Sequence, residues 1–574
     1  MAALRLAEKG YKVVVLEQGA EVTAEDIEDG DADVRRLNWM PALGMSGYFS
    51  QDFFRHVTLV RGVGVGGGSH VYAAVLLKPK DAFYNDPAWA GLGIDWKTEL
   101  ASHYDTAAAM LGVTENPVKD IQDDYLKKTA EKMGAADTFG PTPNGIYFGT
   151  PETMAPDPFF GGTGPHRAGC HLCGRCLTGC PHGSKNTLDK NYLYLARRRG
   201  AVILPFRKVS NILPLETGGY LLHVVHPLKI FREYPPIRVR KIVLAAGVLG
   251  TLELLFRCRD ITKTLPAISR QLGTVVRTNS EAIVGALAAD ENLDLTRGTA
   301  ISSHFYPDEH THITQNRFPN GYNFMKFFTG PIVDHPNPAI RALKTIGTIL
   351  LRPSSLYNNW TAKNWNKRMT VLTVMQHLDN QISLVYGRKA SFLFRRGLKS
   401  RLVKGKEAPT FLPVANRAAK ELARVCNAQP LNILTESIGN TATTAHILGG
   451  CHMGTSAADG VIDTRHELFG YPGIYVTDGA AVSANIGANP SLTITALAER
   501  AMGLIPKRQM TLCKQFKTAN YHSFPFMEPQ SGYALCQTAA SLNGRARSIL
   551  FRRFGEFKVF HKSRSLLNVS AFCR

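Results

Sequence analysis

The chain has 574 residues, of which 44% are hydrophobic and 20% are charged. Because this length exceeds what one hydrophobic core usually supports, we expect two substantial domains. The formal net charge of +21 lies partly in residues 509–574, with ten Lys and Arg against two Glu, and no zinc-finger, RNA-recognition or helix-turn-helix pattern accompanies it, which argues against nucleic-acid binding. No apolar run reaches the roughly 18 to 20 residues of a membrane-spanning helix, and Arg5, Glu8 and Lys9 interrupt the first residues too early for a secretory signal.

The first seventeen residues predict a helix containing Leu4 and Leu6, a turn at Gly10 and a buried strand that ends at Glu17. This order is typical of the second half of a βαβ dinucleotide-binding unit, in which an acidic residue about 20 positions after the glycine turn binds the ribose hydroxyls. Glu17 is placed for that role. The first strand and its G-x-G-x-x-G turn would fall before Met1, so we expect the chain to be an N-terminally truncated form.

A second glycine-rich segment, RGVGVGGGS, spans residues 61–69 and would let the backbone come close to a flat ligand or a phosphate. A flexible loop is the alternative. Further along, Arg240–Gly247 predicts a buried strand ending in small residues, followed by an apolar helix over Leu249–Phe256. Such a strand, turn and helix often close a nucleotide site, but they are equally typical of an ordinary parallel strand.

Four of the ten cysteines are clustered: Cys170, Cys173, Cys176 and Cys180. With the following proline they match C-x2-C-x2-C-x3-C-P, the run that ligates iron–sulfur clusters in ferredoxins, and the same thiolates could instead hold zinc. The alternative is a compact loop with His182 and Lys185 as surface groups. Ten cysteines in so long a chain do not suggest a disulfide scaffold, which favours a reducing, cytoplasmic compartment.

Between about 270 and 440 the pattern changes to alternating segments such as Met369–Val374 and Gln381–Val385, which predict an antiparallel sheet. Trp360–Arg368 is interpreted as a polar connection. This region would form the second domain.

The segment from His446 to Met502 contains two polar groups that could meet one substrate. Ile474–Thr477 predicts a short strand closed by a tight turn at Asp478-Gly479. Asn489 then lies at or beside the N-cap of a helix whose first position fits Pro490, where unpaired N–H groups stabilise an electron-rich group. Asn489 as a simple helix cap and His446 as a packed or surface histidine are the alternatives.

In this order the motifs resemble the glucose-methanol-choline (GMC) family of flavin oxidoreductases, in its bacterial cholesterol oxidase-like branch, over about residues 1–505. They are RLAEKGYKVVVLEQG, RGVGVGGGSHVYAAVLLKP, CHLCGRCLTGCPHGSKNTLDKNYL, IVLAAGVLGT, TAHILGGC and VTDGAA…GANPSLTITALAER. The resemblance implies an α/β fold with a discontinuous Rossmann-like FAD-binding domain (1–270 and 440–505, with a Cys-rich insertion over 165–190). It further implies an antiparallel-sheet substrate-binding domain (271–439), followed by a basic, poorly ordered tail (506–574).

The resemblance also implies roles for single residues. The residues of this chain that would contact FAD are Glu17, Gly64, Gly66, Gly67, Gly68, Ser69, Val209, Ala246, Gly247, Asp478, Gly479, Asn489 and Pro490. His446 would accept or position the hydroxyl proton of a sterol-like or bulky alcohol while a hydride passes to flavin N5, and Asn489 would orient substrate and flavin. Cholesterol oxidases also use a buried Glu from the substrate domain, which the motifs match to no position here.

Three departures from the family pattern are visible. Val71 and Ala74 stand where close relatives carry asparagines, the glycine turn before Met1 is missing, and the tail matches no pattern. The expected partners are a small hydrophobic alcohol or sterol, oxygen or an unknown electron carrier, and a peripheral contact of the basic tail with acidic membrane lipid. Two alternatives remain: a dehydrogenase that passes electrons through an iron–sulfur centre, and a flavin-free, non-enzymatic paralogue that binds lipid or membrane.

Overall fold

A computed structural model describes residues 1–229, 231–388 and 396–509. Its α-helices are α1 (Ala2–Glu8), α2 (Ala24–Ala32), α3 (Val34–Leu37), α4 (Asp81–Tyr84), α5 (Pro87–Ala90), α6 (Trp96–Leu111), α7 (Ile121–Lys132), α8 (Tyr192–Arg198), α9 (Gly247–Phe256), α10 (Pro338–Leu351), α11 (Pro353–Thr361), α12 (Trp365–Arg368), α13 (Pro413–Val425), α14 (Leu434–Ser437) and α15 (Ser491–Gly503). Among the 3₁₀ helices are Gly67–His70, Asn320–Phe328 and Gly479–Ala481.

The strands of the first half are β1 (Val14–Leu16), β2 (Trp39–Met40), β3 (Met45–Ser46), β4 (Phe49–Phe53), β5 (Val57–Gly62), β6 (Val113–Glu115), β7 (Gly140–Pro141), β8 (Pro143–Gly145), β9 (Met154–Ala155), β10 (Arg167–Ala168), β11 (Val202–Leu204), β12 (Lys208–Pro214), β13 (Tyr220–Val225), β14 (Glu233–Val239) and β15 (Ile242–Leu244). Those of the second half are β16 (Val276–Arg277), β17 (Ala282–Ala288), β18 (Ile301–Phe305), β19 (Thr311–Arg317), β20 (Thr329–Pro331), β21 (Met369–Gln376), β22 (Ile382–Arg388), β23 (Arg396–Leu402), β24 (Ala428–Ile433), β25 (Ala442–Thr444), β26 (Leu448–Gly449) and β27 (Ile474–Val476).

Two pairs of parallel strands carry the segments that the sequence marked as nucleotide-binding. Strand β1 pairs with β11, and β15 pairs with β27, so that Leu244 lies opposite Val476. The predicted helix, turn and strand at the start of the chain are confirmed, but β1 is not buried as expected, since Val14 is 36% exposed and Val15 and Leu16 are half-buried. The predicted strand and helix around Gly247 are also confirmed. Because parallel strands end at the same edge of a sheet, the residues after β15 and β27 lie together, where ligands of α/β folds bind.

The large antiparallel sheet is also confirmed. Seven strands lie in the order β20-β24-β17-β21-β19-β18-β7, and every neighbouring pair is antiparallel. All but β7 fall within residues 282–433. The predicted strand at Gln381–Val385 exists as β22, but it belongs to a separate four-stranded sheet with β23, β16 and β26.

Alternation along β21 shows why this sheet is covered on both faces. Leu372 and Val374 pack in the cluster with α7 and α13, whereas Met369 and Val371 pack in a second cluster with Trp365. Successive strand residues point to opposite faces, so a strand covered on both faces carries apolar residues on both, as β21 does. The fold class, a mixed α/β chain with a large antiparallel sheet, is as predicted.

One expectation was wrong, and another concerns residues that the structure does not describe. Trp360–Arg368 is not a simple polar connection, because it contains the end of α11 and all of α12, with the Trp365 indole buried and donating to Asn359 Oδ1. The predicted tail (506–574) lies outside the described residues beyond Gln509. Among residues 1–229, 231–388 and 396–509, no helix has the length and apolar character needed to cross a bilayer.

Candidate active site

His446 and Asn489 are brought together, as predicted, although 43 positions separate them in sequence. Asn489 Nδ2 lies 3.4 Å from His446 Nε2. His446 is held by its backbone, whose N–H donates to Thr444 Oγ1 at 2.8 Å just after β25. The two side chains therefore face one another across the start of α15.

The other nitrogen of the His446 ring, Nδ1, hydrogen-bonds to Glu281 Oε1, and Glu281 Oε2 accepts from the Ala445 N–H at 3.2 Å. Glu281 is only 2% exposed. Since a carboxylate accepts, Nδ1 carries the proton and Nε2 presents a lone pair. Burial lowers the pKa of His446 to about 4, so the ring is neutral near pH 7 and Nε2 can accept a proton.

Asn489 precedes the helix rather than capping it. Helix α15 begins at Ser491 with Pro490 at its N-cap, so the expected place of Pro490 at the first helical position is wrong by one residue. The Asn489 side chain accordingly makes no cap hydrogen bond to the helix. Its Oδ1 is buried and has no partner among the described residues, which leaves an acceptor free beside His446 Nε2.

Asn279 fixes the loop that carries Asn489. Its side chain donates to Ala488 O at 3.0 Å and accepts from the Gly487 N–H at 2.8 Å. Asn279 and Ser280 both adopt positive φ, 60° and 47°, in the left-handed region that is unfavourable for residues other than glycine. This sharp turn directs Glu281 into the site and, through Asn279, ties it to Asn489.

Glu17 directly follows β1 and accepts hydrogen bonds from the N–H groups of Gly19 (2.7 Å) and Gly64 (3.2 Å), which brings the acidic residue to the glycine-rich turn. Burial raises the pKa of the Glu17 carboxyl group. Ser69 closes the same turn through its hydroxyl, which donates to Gly66 O and accepts from the Leu188 N–H. These contacts place the first group of predicted cofactor residues in one turn.

Asp478, which lies just after β27, is hydrogen-bonded to the segment that follows β15. Its carboxylate accepts from Thr251 Oγ1 at 2.5 Å and from the N–H groups of Ala480 and Gly247, and burial raises its pKa to about 6. Ala246 is the N-cap of α9. The segment after Asp478 is a 3₁₀ helix with Asp478 at its N-cap, not the expected tight turn.

Val209 lies on β12 opposite Val224, and within the described residues no hydrogen bond joins it to the other predicted positions. It stays a predicted adenine contact.

The residues present fit a flavin nucleotide. A Cβ atom built at Gly67, Gly68 or Gly247 would meet no atom within 4 Å, so the backbone there is open to a ligand. Gly64 and Gly67 also adopt positive φ, 139° and 56°, which glycine tolerates best. Together with the unpartnered Asn489 Oδ1, these open backbone positions leave room and a polar contact for a flat ring system.

The four clustered cysteines line one small cavity of about 20 Å³, together with Lys185. Burial raises the pKa of Cys170 to about 12 and that of Cys176 to about 11, so these thiols are protonated. In residues 1–229, 231–388 and 396–509 no group of three or more His, Cys, Asp or Glu is placed to hold a metal ion. The metal interpretation of Cys170, Cys173, Cys176 and Cys180 therefore has no support from the described residues.

Lys185 was expected at the surface, and this is wrong. Its ammonium group is buried and donates to the carbonyl oxygens of His70, Tyr72 and Cys176. It ties the cysteine loop to the glycine-rich turn.

Sequence reasoning missed Glu281. The signal was a single carboxylate standing directly before the apolar strand Ala282–Ala288, a position where an acidic residue is unusual unless it has a buried partner. Its partner lies 165 residues further along, and no local pattern links the two.

Comparisons with known proteins agree with this geometry. The family model described as GMC oxidoreductase matches residues 375–498. A cholesterol oxidase of Mycobacterium tuberculosis is 40% identical over 523 residues, covering 89% of this chain and 90% of that protein. A cholesterol oxidase of Acinetobacter baumannii is 38% identical over 533 residues, covering 91% and 95%. Among solved structures, pyridoxine 4-oxidase from Mesorbium loti has a TM-score of 0.57 at 15% identity, covering 88% of this chain and 96% of that one, which shows a shared fold.

Proposed function

The chain belongs to the GMC oxidoreductase family as an FAD-dependent alcohol oxidoreductase, and we propose that its substrate is a sterol whose 3β-hydroxyl group it oxidises to a ketone. The observation that carries this proposal is the hydrogen-bonded group of Glu281, His446 and Asn489, in which Nε2 of the neutral His446 ring offers one proton acceptor. The choice of a sterol is supported by the two cholesterol oxidases, which match this chain over 90% and 95% of their own length.

The side chains divide the proton chemistry among themselves. His446 Nε2 accepts the hydroxyl proton of the alcohol, because its neutral ring has a lone pair there. Glu281 stabilises the imidazolium ion that results, since its carboxylate accepts from Nδ1–H. The Asn489 side-chain amide lies beside Nε2, and its N–H groups can donate to the hydroxyl oxygen, so the carbon–hydrogen bond to be broken stays fixed in place.

Bound FAD supplies the acceptor for the hydride that leaves the alcohol carbon. Glu17 and the turn from Gly64 to Ser69 would hold its nucleotide end, and Gly247 and Asp478 its ribityl-phosphate region. The N–H groups at the start of α15 would favour negative charge on the ring.

The remaining parts of the proposal concern partners and place. We propose oxygen as the electron acceptor, in line with the oxidase relatives. A cytoplasmic location is supported by the described cysteines, which are all free thiols. An iron–sulfur centre or zinc has no supporting observation in the described residues. Contact of the basic tail with lipid stays a prediction, because residues 510–574 lie outside them.

Purified protein loaded with FAD tests the proposal. We expect a 3β-hydroxysterol to give its ketone with one equivalent of hydrogen peroxide, and the 3α epimer to react at least about tenfold more slowly. A long-chain primary alcohol is the comparison substrate, because a long-chain-alcohol oxidase of Arabidopsis thaliana is 23% identical to this chain, covering 89% of it and 66% of that protein. Turnover of the primary alcohol without turnover of the sterol would refute the proposed substrate.

A further inference from the structure

Helix α10 is turned the opposite way from an ordinary surface helix. Its buried residues are Arg341 and Thr345. Its leucines point outward, with Leu343, Leu350 and Leu351 at 70%, 73% and 84% exposure. A surface helix normally turns its apolar stripe to the core. Here polar groups anchor the helix, and the apolar stripe is left exposed by the residues that the structure describes.

The apolar stripe continues onto neighbouring segments. Helix α11 packs against α10 and against the 3₁₀ helix Asn320–Phe328, and the rings of Phe327 and Trp360 lie 6.2 Å apart. We call the resulting surface the docking face; it comprises Phe327, Leu343, Ile346, Leu350, Tyr357 and Trp360, all exposed. Single exposed apolar residues are common, but a contiguous patch of this kind marks an interaction site.

Positive charge borders the docking face. Lys344, Arg352 and Lys363 are exposed within the same segments, and Lys326 Nζ lies 5.4 Å from the Phe327 ring centroid. Residues 320–364 contain one acidic residue, Asp334, and it is already paired with Lys420. The docking face therefore combines exposed leucines and aromatic rings with a positively charged border.

We propose that the docking face binds the surface of an anionic phospholipid bilayer. Leu and Ile side chains on one side of a helix, Trp and Tyr beside them, and Lys and Arg at the border are the features of a helix that lies in a membrane interface. Anionic headgroups complement the border charges. A second copy of the chain fits less well, because a two-fold contact would place the same cations opposite one another.

The docking face is joined to the segment that carries the active site. Arg341 Nη2 donates to Thr410 Oγ1 and Asn440 Oδ1, both at 3.0 Å, and Asn440 lies just before β25 and His446. Helix α10 also packs against α14, whose Glu436 accepts from the Ile283 N–H beside Glu281. A bilayer bound at the docking face thus contacts a helix that is hydrogen-bonded to the segment before the site. Binding itself needs no turnover, so the inference goes beyond the proposed function.

Flotation of the full-length protein with sterol-free vesicles tests the inference without any substrate. We expect binding to vesicles of phosphatidylcholine with about 30% phosphatidylserine, and at least about fivefold weaker binding to phosphatidylcholine alone. Leu343→Ser with Leu350→Ser should weaken binding at least about tenfold. Phe53→Ser, at an exposed aromatic residue outside the docking face, is the matched control and should leave binding unchanged.

Two further measurements make the outcome decisive. Lys344→Glu with Arg352→Glu should remove the preference for phosphatidylserine, whereas Lys132→Glu on α7 should not. Thermal unfolding and the visible flavin spectrum should match wild type in every variant, since none of these side chains is buried. Unchanged vesicle binding in the double leucine variant would overturn the inference. So would a dimer in sedimentation velocity that the leucine changes abolish, with no vesicle binding, which would assign the face to a second copy.

Discussion

Replacing Glu281 with Gln removes the negative charge that faces His446 while leaving a hydrogen-bond acceptor of nearly the same shape. The imidazolium ion formed during alcohol oxidation then loses its carboxylate partner. Two unit charges about 4 Å apart interact by about 4 kcal/mol at an effective dielectric constant of about 20. If half of that interaction is present in the transition state, kcat falls about 30-fold; if all of it is present, kcat falls about 1000-fold.

The measurement is anaerobic stopped-flow reduction of the flavin by the sterol, at pH 7 and across pH 3 to 9. Glu281→Gln should slow flavin reduction within the 30-fold to 1000-fold range and leave the dissociation constant of the sterol within about threefold. It should also move the acid limb of the pH profile downward, because the carboxylate that favours the protonated ring is gone. The control is Glu291→Gln, which replaces an exposed carboxylate shortly after β17, the strand that Glu281 directly precedes.

Flavin reduction within threefold of wild type in Glu281→Gln would refute the role of Glu281, provided that the variant binds FAD and unfolds at the normal temperature. An unchanged acid limb with a slower rate would show that the substitution acts through packing alone.

Three further outcomes are expected. Gly67→Ala should lower FAD content because it places a Cβ in the open cradle, whereas Gly44→Ala, at a similar positive φ with equally open space, should not; absorbance near 450 nm measures both, and equal losses would contradict the assignment. Burial raises the pKa of Glu436 from 4.5 to about 8, so the unfolded chain loses the carboxyl proton of Glu436 at lower pH than the folded chain does. The stability that the protonated Glu436 contributes is therefore complete below about pH 4.5 and is lost as pH rises through 8. The melting temperature should therefore fall over that range less steeply in Glu436→Gln, and parallel curves would disprove this account. Asn279→Ala removes both bonds to the Asn489 loop and should lower the free energy of unfolding by about 1–3 kcal/mol in urea titrations, against less than about 0.5 kcal/mol for the exposed Asn292→Ala.

The sequence predicted those parts of the site that depend on short-range patterns. His446 and Asn489 stand in recognisable motifs, and Glu17 and the glycine-rich turn follow from the strand and turn signals around them. Glu281 could not be found in this way, because antiparallel pairing of β17 and the strained turn at Asn279 bring it to His446 from 165 residues away. A period-two pattern shows which face a residue occupies, not which distant residue it meets.

The same distinction between short-range patterns and long-range contacts applies to the fold. The helix at the start of the chain, the strand before Gly247 and the alternating strands near residue 370 were predicted, since each has its own periodicity. The prediction for Trp360–Arg368 was wrong because polar residues surround Trp365 in the sequence, whereas its side chain packs against Met369 and Val371 of the sheet. The burial of Lys185 could not be predicted either, since the backbone carbonyls that accept its hydrogen bonds belong to two separate segments, at His70 and Tyr72 and at Cys176.

Helix α10 carries a consequence for the way substitutions are tolerated along the chain. In most helices the hydrophobic positions are the constrained ones and the polar positions accept change. Here folding depends on Arg341 and Thr345, which are buried, while Leu343 and Leu350 belong to none of the hydrophobic clusters formed by the described residues. A scan of all substitutions scored by protein abundance would therefore show an inverted profile over residues 338–351, with charged residues accepted at the leucines and refused at the arginine. Selection that keeps those leucines would have to act on something other than folding.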